Sequence, residues 1–233
     1  MRVPKKIVVL SGAGISAESG LKTFRDSNGL WENYDIHDVA TIDAWRKDPE
    51  LVLRFYNERR RQVKNVEPNI AHSSIAELDQ HFDVHIITQN IDDLHERAGS
   101  KNVLHLHGEI LKARSVHNDD LIVPFHEDIQ LGDYASDGHQ LRPHVVWFGE
   151  AVPAMVEAEK IVRKCDVLIV VGTSLNVYPA AGLCYACPQE TDRFVIDPKD
   201  PGLGKAAFTH YQGTATEQVP QLVSNLIKNF RTA

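Results

Sequence analysis

The stretch Thr88-Gln89-Asn90-Ile91-Asp92-Asp93-Leu94-His95-Glu96-Arg97-Ala98-Gly99, with His105-Leu106-His107-Gly108-Glu109 shortly after it, follows directly on the β-branched run Val84-His85-Ile86-Ile87. A buried strand that ends in amide and carboxylate side chains has the form of a ligand-binding edge in an open α/β sheet, which places Gln89, Asn90 and Asp92 at such an edge. The chain opens on a second copy of this arrangement. Ile7-Val8-Val9-Leu10 runs into Ser11-Gly12-Ala13-Gly14-Ile15-Ser16-Ala17-Glu18-Ser19-Gly20, whose glycines let the backbone approach a pyrophosphate and whose following turn presents amides to it. Together the two stretches predict a nucleotide held beside amide and carboxylate side chains.

Working outward, apolar β-branched runs recur at 7–10, 84–87, 145–148, 167–171 and 194–196, each ending in polar or glycine-bearing sequence. Near-continuous apolar runs separated by long helical or irregular stretches fit strands buried on both faces of a parallel sheet. The expected class is α/β: a doubly wound, Rossmann-like parallel sheet with a smaller inserted lobe. The loops after Leu10, Thr88, Val171 and Ile196 should then gather at one rim. The core is expected over about 1–20, 71–107 and 145–233, and the small lobe over about 21–70 and 108–144. The stretch from Val219 to Ile227 reads as an amphipathic helix that packs on the sheet.

At 233 residues the chain can bury roughly 70–75 % of its unfolded surface, enough for one sizeable core and a small appended lobe. With 42 % hydrophobic and 24 % charged residues and only strand-sized apolar runs, nothing in it is expected to cross a membrane. The basic start Met1 to Lys6 leads into a short apolar run and then a glycine loop, which is not the pattern of a secretory signal, so a cytoplasmic location is expected. The net charge of −7 carries no compensating basic block and argues against nucleic-acid binding. Three cysteines are too few for a disulfide framework. The spacing Cys184-Tyr185-Ala186-Cys187 invites a metal or redox reading, but two small buried residues one turn apart give the same spacing, and that reading is preferred.

Asp48-Pro49-Glu50 has the composition of a helix start: a carboxylate cap, proline at the first position and acid in the first turn. On the helix that follows, Leu51, Val52, Phe55, Tyr56, Val63 and Val66 fall within an arc of roughly 140° centred near Arg59, while Arg54, Arg60, Arg61 and Lys64 point elsewhere. A guanidinium in an apolar stripe needs a carboxylate, either from the protein or from a ligand, or else its stem lies on the core with its head in water.

These motifs resemble the sirtuins, NAD-consuming protein lysine deacylases. The likeness runs through Gly12 to Gly20, Thr23-Phe24-Arg25-Asp26, Gly29-Leu30-Trp31, Thr88 to Asp92, His107-Gly108, Val146-Trp147-Phe148-Gly149-Glu150, Gly172-Thr173-Ser174 and Val177 to Gly182. It implies that the acyl oxygen of an acyl-lysine attacks C1′ of the nicotinamide ribose of NAD, that nicotinamide leaves, and that the acyl group ends on ADP-ribose. By resemblance His107 is the general base and His105 its packing neighbour. Asn90 and Asp92, with Gln89, hold the ribose and the nicotinamide carboxamide. Gly12, Ala13, Gly14 and Ser16 cradle the pyrophosphate; Phe24 and Arg25 belong to a cofactor loop that shields C1′. Gly172, Thr173, Ser174, Asp197 and Ala215 meet the adenosine side. An acyl-lysine peptide adds as a strand between Val146, Phe148 and Gly149 on one side and Val177 on the other, and the protein is taken as a monomer. In the branch that removes acidic acyl groups a Tyr-x-x-Arg pair lines the acyl pocket, and Tyr56 and Arg59 match it. That match implies a preference for succinyl-, malonyl- or glutaryl-lysine over acetyl-lysine.

The chain departs from the family in two places. Sirtuins generally carry two cysteine pairs after the His-Gly step and bind one structural zinc, but 108–144 contains no cysteine, so no metal is expected; His117, His126 and His139 with nearby aspartates have irregular spacing. Asp197 stands where the family usually has asparagine. Three other readings compete. A dehydrogenase would fit Gly12-x-Gly14-x-x-Ala17 but needs an acid at the end of a second strand, and Asp35 has no strand before it. A mono-ADP-ribosyltransferase would share the NAD cleavage, and a non-catalytic NAD-binding regulator would not require His107.

Overall fold

The computed structural model describes residues 4–22, 30–31, 34–175, 177–199, 202 and 208–231. Its main sheet has six strands in the spatial order Thr209–Gln212, Asp192–Asp197, Val167–Val171, Lys6–Ser11, Asp83–Thr88 and Val103–His105. Every neighbouring pair is parallel, for instance Val9 beside Ile86 on one side and beside Ile169 on the other. In sequence order this is 6-5-4-1-2-3, the doubly wound arrangement whose order reverses beside the first strand.

The strand Lys6–Ser11 shows why both faces are covered. Ile7 and Val9 point into a core with Ile75 and Leu78 of the helix Ile70–Leu78 and Val219, Leu222 and Leu226 of the helix Ala215–Arg231. Val8 and Leu10 point into a second core with Ala158 and Val162 of the helix Met155–Val162 and with Leu183 of the turn Ala180–Tyr185. No helix among the described residues is long and apolar enough to cross a membrane.

A second, antiparallel sheet carries the order Ile122–Pro124, Gly108–Ser115, Leu141–Val145. The run 145–148 read as a strand of the parallel sheet is a correction: Val145 ends the last strand of this small sheet, paired with Gly108. An apolar run of four residues specifies burial but not the sheet it joins, and Val145 and Trp147 are buried beneath the small lobe instead. The edge strands Val103–His105 and Thr209–Gln212 escaped the run-based reading because they are short and only half buried.

The helix Pro49–Lys64 starts where the sequence says, with the Asp48 carboxylate accepting from Leu51 N–H at 3.0 Å. It is buried on two sides rather than one. Arg60, read as pointing elsewhere, is fully buried: its Nε donates to the Ile110 carbonyl at 3.0 Å and its Nη1 to Asn57 Oδ1 at 2.7 Å. The small sheet covers the face that a single-stripe reading leaves to water, and Asn57 adds a reciprocal pair with the Ile129 backbone. In the small lobe Ser115 Oγ donates to Asp137 at 2.6 Å and accepts from His117 N–H, and the His117 and His139 rings stack at 4.3 Å. Glu150 joins the lobe to the rim, accepting from Arg142 at 2.6 Å and from Trp147 N–H at 2.7 Å with Arg114 beside it.

Candidate active site

The strand order reverses between Lys6–Ser11 and Val167–Val171, and the loops leaving those two strands are locked together there. Gly12 N–H donates to the Val171 carbonyl at 3.0 Å and Gly14 N–H to the Gly172 carbonyl at 2.8 Å. The contact leaves no room for side chains: a Cβ on Gly14 would lie 2.7 Å from Gly172 Cα, and Gly172 itself has φ +64°. After Gly12 the chain makes two 3₁₀ turns, Ala13–Ile15 and Ala17–Ser19, in place of the long helix of a dehydrogenase fingerprint.

One cleft of about 550 Å³ opens on this rim, and the candidate residues within the described part of the chain line it. Gly12, Ala13, Gly14 and Ser16 form one wall, with Gly172, Thr173, Ser174, Asp197 and Ala215 beyond them; Gln89, Asn90, Asp92 and His107 form the floor. Tyr56 and Arg59 come in from the long helix, and Val146, Phe148, Gly149 and Val177 frame the mouth. Phe24 and Arg25 lie outside the described residues.

The floor is a continuous hydrogen-bonded unit. Asn90 Nδ2 donates to Ser16 Oγ at 3.1 Å, and Ser16 Oγ–H donates to Asp92 Oδ2 at 3.0 Å; Asp92 Oδ1 accepts from Leu94 N–H at 3.2 Å. Gln89 reaches across to Thr173 Oγ1 at 3.0 Å, tying the second strand's loop to the fourth's. Burial pushes the Asp92 carboxyl up to about 6, against the bonds from Leu94 and Ser16 that favour its charged form.

That shift makes Asp92 a local cost to stability at neutral pH. The folded chain holds this proton more tightly than the unfolded chain, so the cost is absent below the unfolded carboxylate range and sets in as pH rises from about 4 to about 6. Asp92→Asn, measured by urea unfolding without added nucleotide, should therefore gain on the native chain across that window by a difference of about 2–3 kcal/mol. Unfolding midpoints that stay parallel across the window would contradict the strained-carboxylate reading.

The two histidines of His105-Leu106-His107 separate clearly. His105 is tied at both nitrogens, to the Asn90 carbonyl and to Glu96, each at 2.8 Å. Burial opposes its charge, but the bond and charge of Glu96 raise it above the usual imidazole range. His107 Nδ1 lies 3.0 Å from the Gln89 carbonyl, which can only accept, so Nδ1 carries the proton and the Nε2 lone pair is left for the cleft. Burial lowers His107 despite that bond, which leaves it neutral at pH 7.

Two other histidines under the floor were not singled out from sequence. His72 Nδ1 accepts from Asn69 N–H at 3.3 Å and its Nε2 sits 3.5 Å from Ser16 Oγ. His95 Nε2 lies 2.9 Å from Ser11 Oγ, which donates to Thr88 Oγ1, and Thr88 Oγ1 accepts from Asn90 N–H. Both imidazoles are lowered by burial, His72 to about 4 and His95 well below its ordinary range, so both act as neutral struts. The available signal was the Asn69-Ile70-Ala71-His72 spacing, which is a reciprocal N-terminal cap.

On the long helix, burial pushes the Tyr56 hydroxyl up, so it stays protonated. Arg59 is 6 % exposed, with its guanidinium 4.9 Å from the Phe55 ring centre and in an ion pair with Glu58 at 3.8 Å. Asp197 is buried and its Oδ1 accepts from Lys199 N–H at 2.9 Å.

A family model described as the Sir2 family matches residues 12–179. Curated relatives include an NAD-dependent protein deacylase of Helicobacter pylori, 56 % identical over 84 % of this chain and 85 % of its own. Another, from Bacteroides thetaiotaomicron, is 47 % identical over 96 % and 98 %. Among solved structures, a Sir2 homologue in complex with NAD superposes with a TM-score of 0.86 at 39 % identity, covering 97 % of this chain and 91 % of its own. With a family model over residues 12–179, relatives at 56 % and 47 % identity along most of the chain and a solved Sir2 homologue superposing with a TM-score of 0.86, this chain belongs to the Sir2 family.

Proposed function

We propose that the protein is an NAD-dependent protein-lysine deacylase that moves the acyl group from acyl-lysine to ADP-ribose with release of nicotinamide, and that it prefers succinyl-, malonyl- or glutaryl-lysine to acetyl-lysine. The observation that carries the first part is His107, a buried neutral imidazole whose Nδ1–H is fixed by the Gln89 carbonyl and whose Nε2 lone pair faces a nucleotide-sized cleft. Bound NAD supplies an electrophilic ribose carbon and a leaving nicotinamide; the chain's own groups supply position, proton transfer and exclusion of water.

The donor set fits a dinucleotide. Bare glycine backbone at the switch point, with Ala13 and Ser16 on the same wall of the cleft, suits a pyrophosphate. Asn90 and Asp92 are held by Ser16 and the Leu94 amide, so they orient the ribose and the carboxamide without having to reorganise. His107 accepts a proton at Nε2 from the ribose hydroxyls as the acyl group moves. The peptide pairs as a strand with the segments around Phe148 and Val177, so that its backbone supplies affinity and side-chain sequence matters little.

The acyl preference rests on Tyr56 and Arg59. A protonated phenol and an inward guanidinium, both buried, suit a terminal carboxylate: one hydrogen bond from Tyr56 and a bidentate pair from Arg59. Arg59→Met should cut kcat/KM for a succinyl-lysine peptide by about 10²-fold or more, the cost of leaving a buried carboxylate unpaired, while acetyl-lysine turnover falls little. A panel of acyl-lysine peptides with and without NAD tests it, and an unchanged succinyl/acetyl ratio of kcat/KM would remove the pocket assignment.

A further inference from the structure

Cys184 and Cys187 are three residues apart in sequence, and the third cysteine, Cys165, shares their region of the fold. Cys165 and Cys184 are buried in the same core cluster, and Cys187 packs against it from the surface side. Their surroundings differ. Burial pushes the Cys165 and Cys184 thiols up to about 11, and Cys184 donates to the Ala181 carbonyl at 3.1 Å. Cys187 is half-buried, and its sulfur accepts from Arg193 Nε at 3.0 Å. The guanidinium is fixed in that pose by a second bond, from Nη2 to the Pro188 carbonyl at 2.7 Å. A partly exposed sulfur beside a fixed cation is the setting in which cysteines react.

We propose that Cys187 is an oxidative modification site: hydrogen peroxide oxidises it, and it then closes a disulfide with Cys184 that distorts the turn Ala180–Tyr185. In the first step the Cys187 sulfur attacks one peroxide oxygen and the O–O bond breaks; sulfur is oxidised to the sulfenic acid and the peroxide is reduced to water. In the second step the Cys184 sulfur attacks the sulfenic sulfur, the S–S bond forms, and the sulfenic hydroxyl leaves as water with the Cys184 proton. Arg193 holds the attacking sulfur in place through its Nε–H bond. The Cys184 thiol, three residues earlier, is the resolving group, its backbone carbonyl already accepting from the Cys187 thiol at 3.6 Å.

The consequence follows from geometry. Cys184 lies in the 3₁₀ turn and Cys187 two residues past its end, and a disulfide between them needs Cβ atoms about 3.8 Å apart. Closing the bridge therefore pulls in the turn and breaks the Cys184–Ala181 bond. That turn begins right after Val177, Tyr178 and Pro179, which line the mouth of the cleft, so oxidation raises the KM for an acyl peptide.

The test is thiol mapping on the full chain, reduced, desalted, exposed to hydrogen peroxide, then unfolded in urea and blocked with iodoacetamide. The expected product is a peptide pair containing Cys184 and Cys187 that has lost two hydrogens, with Cys165 alkylated, reversed by dithiothreitol. Cys187→Ser should prevent it, and Arg193→Met should slow it several-fold with both cysteines kept. In kinetics, peroxide should raise the peptide KM of the native chain reversibly and leave that of Cys187→Ser unchanged. A disulfide through Cys165, equal thiol loss in Cys187→Ser, or an undiminished rate in Arg193→Met would overturn the proposal. The mapping does not depend on the deacylase reading, so failure of either is seen separately.

Discussion

His107→Ala is expected to lower kcat for acyl-lysine cleavage by about 10²–10⁴-fold, the range that a positioned general base contributes, with little change in the Kd for NAD. The expectation comes from one hydrogen bond. Because the Gln89 carbonyl fixes the proton on Nδ1, the imidazole presents a lone pair to the cleft in its only available tautomer, and burial keeps it neutral. The pH profile carries the same signature. A base lowered below the ordinary imidazole range loses activity only on the acid side, with its limb displaced to lower pH than a free histidine would give. Nicotinamide release at saturating substrates, with NAD binding by calorimetry, measures both; a kcat within a few-fold of native would remove His107 from the chemistry.

Gly172→Ala should be the most damaging small substitution in the wall of the cleft. Its Cβ would lie 2.3 Å from Ile15 N and 2.7 Å from Gly14 C, both backbone atoms that cannot swing aside, and φ is +64°. The left-handed conformation costs about 1–2 kcal/mol for a residue with a Cβ, and forced separation of packed backbone about 1–3 kcal/mol more. We therefore expect a loss of about 2–5 kcal/mol in urea unfolding together with much weaker NAD binding, since the same contact shapes the wall of the cleft that Gly12, Ala13 and Gly14 form. Gly182→Ala, where an added Cβ meets nothing within 4 Å, is the matched control. Equal stability of the two variants would mean that the loops do not hold each other.

What could be read from sequence divides along physical lines. The central strands at 6–11, 83–88, 167–171 and 192–197 were legible because burial on both faces writes an unbroken apolar run, and the ligand rim followed from their parallel order. Half-buried edge strands write no such run. The segment 145–148 was misassigned because an apolar run records only that something covers it. Arg60 was misread for a related reason: a helical wheel finds one stripe, and this helix has two coverings, the second being a sheet made of residues some fifty positions later. Gly12, Asn90, Asp92 and His107, which line the cleft, were singled out through their motifs, but His72 and His95 beneath it were not. A buried neutral histidine leaves no local mark, and only folding brings each one under Ser11 and Ser16.

The claim everything else rests on is that a single cleft holds a dinucleotide and an acyl-lysine with His107 between them. Mass analysis of the products from NAD and a succinyl-lysine peptide tests it most directly. The account predicts equal amounts of nicotinamide, free-lysine peptide and O-succinyl-ADP-ribose, all lost together in His107→Ala. Free succinate with NAD left intact, or ADP-ribose attached to protein with the succinyl group still on lysine, would contradict it.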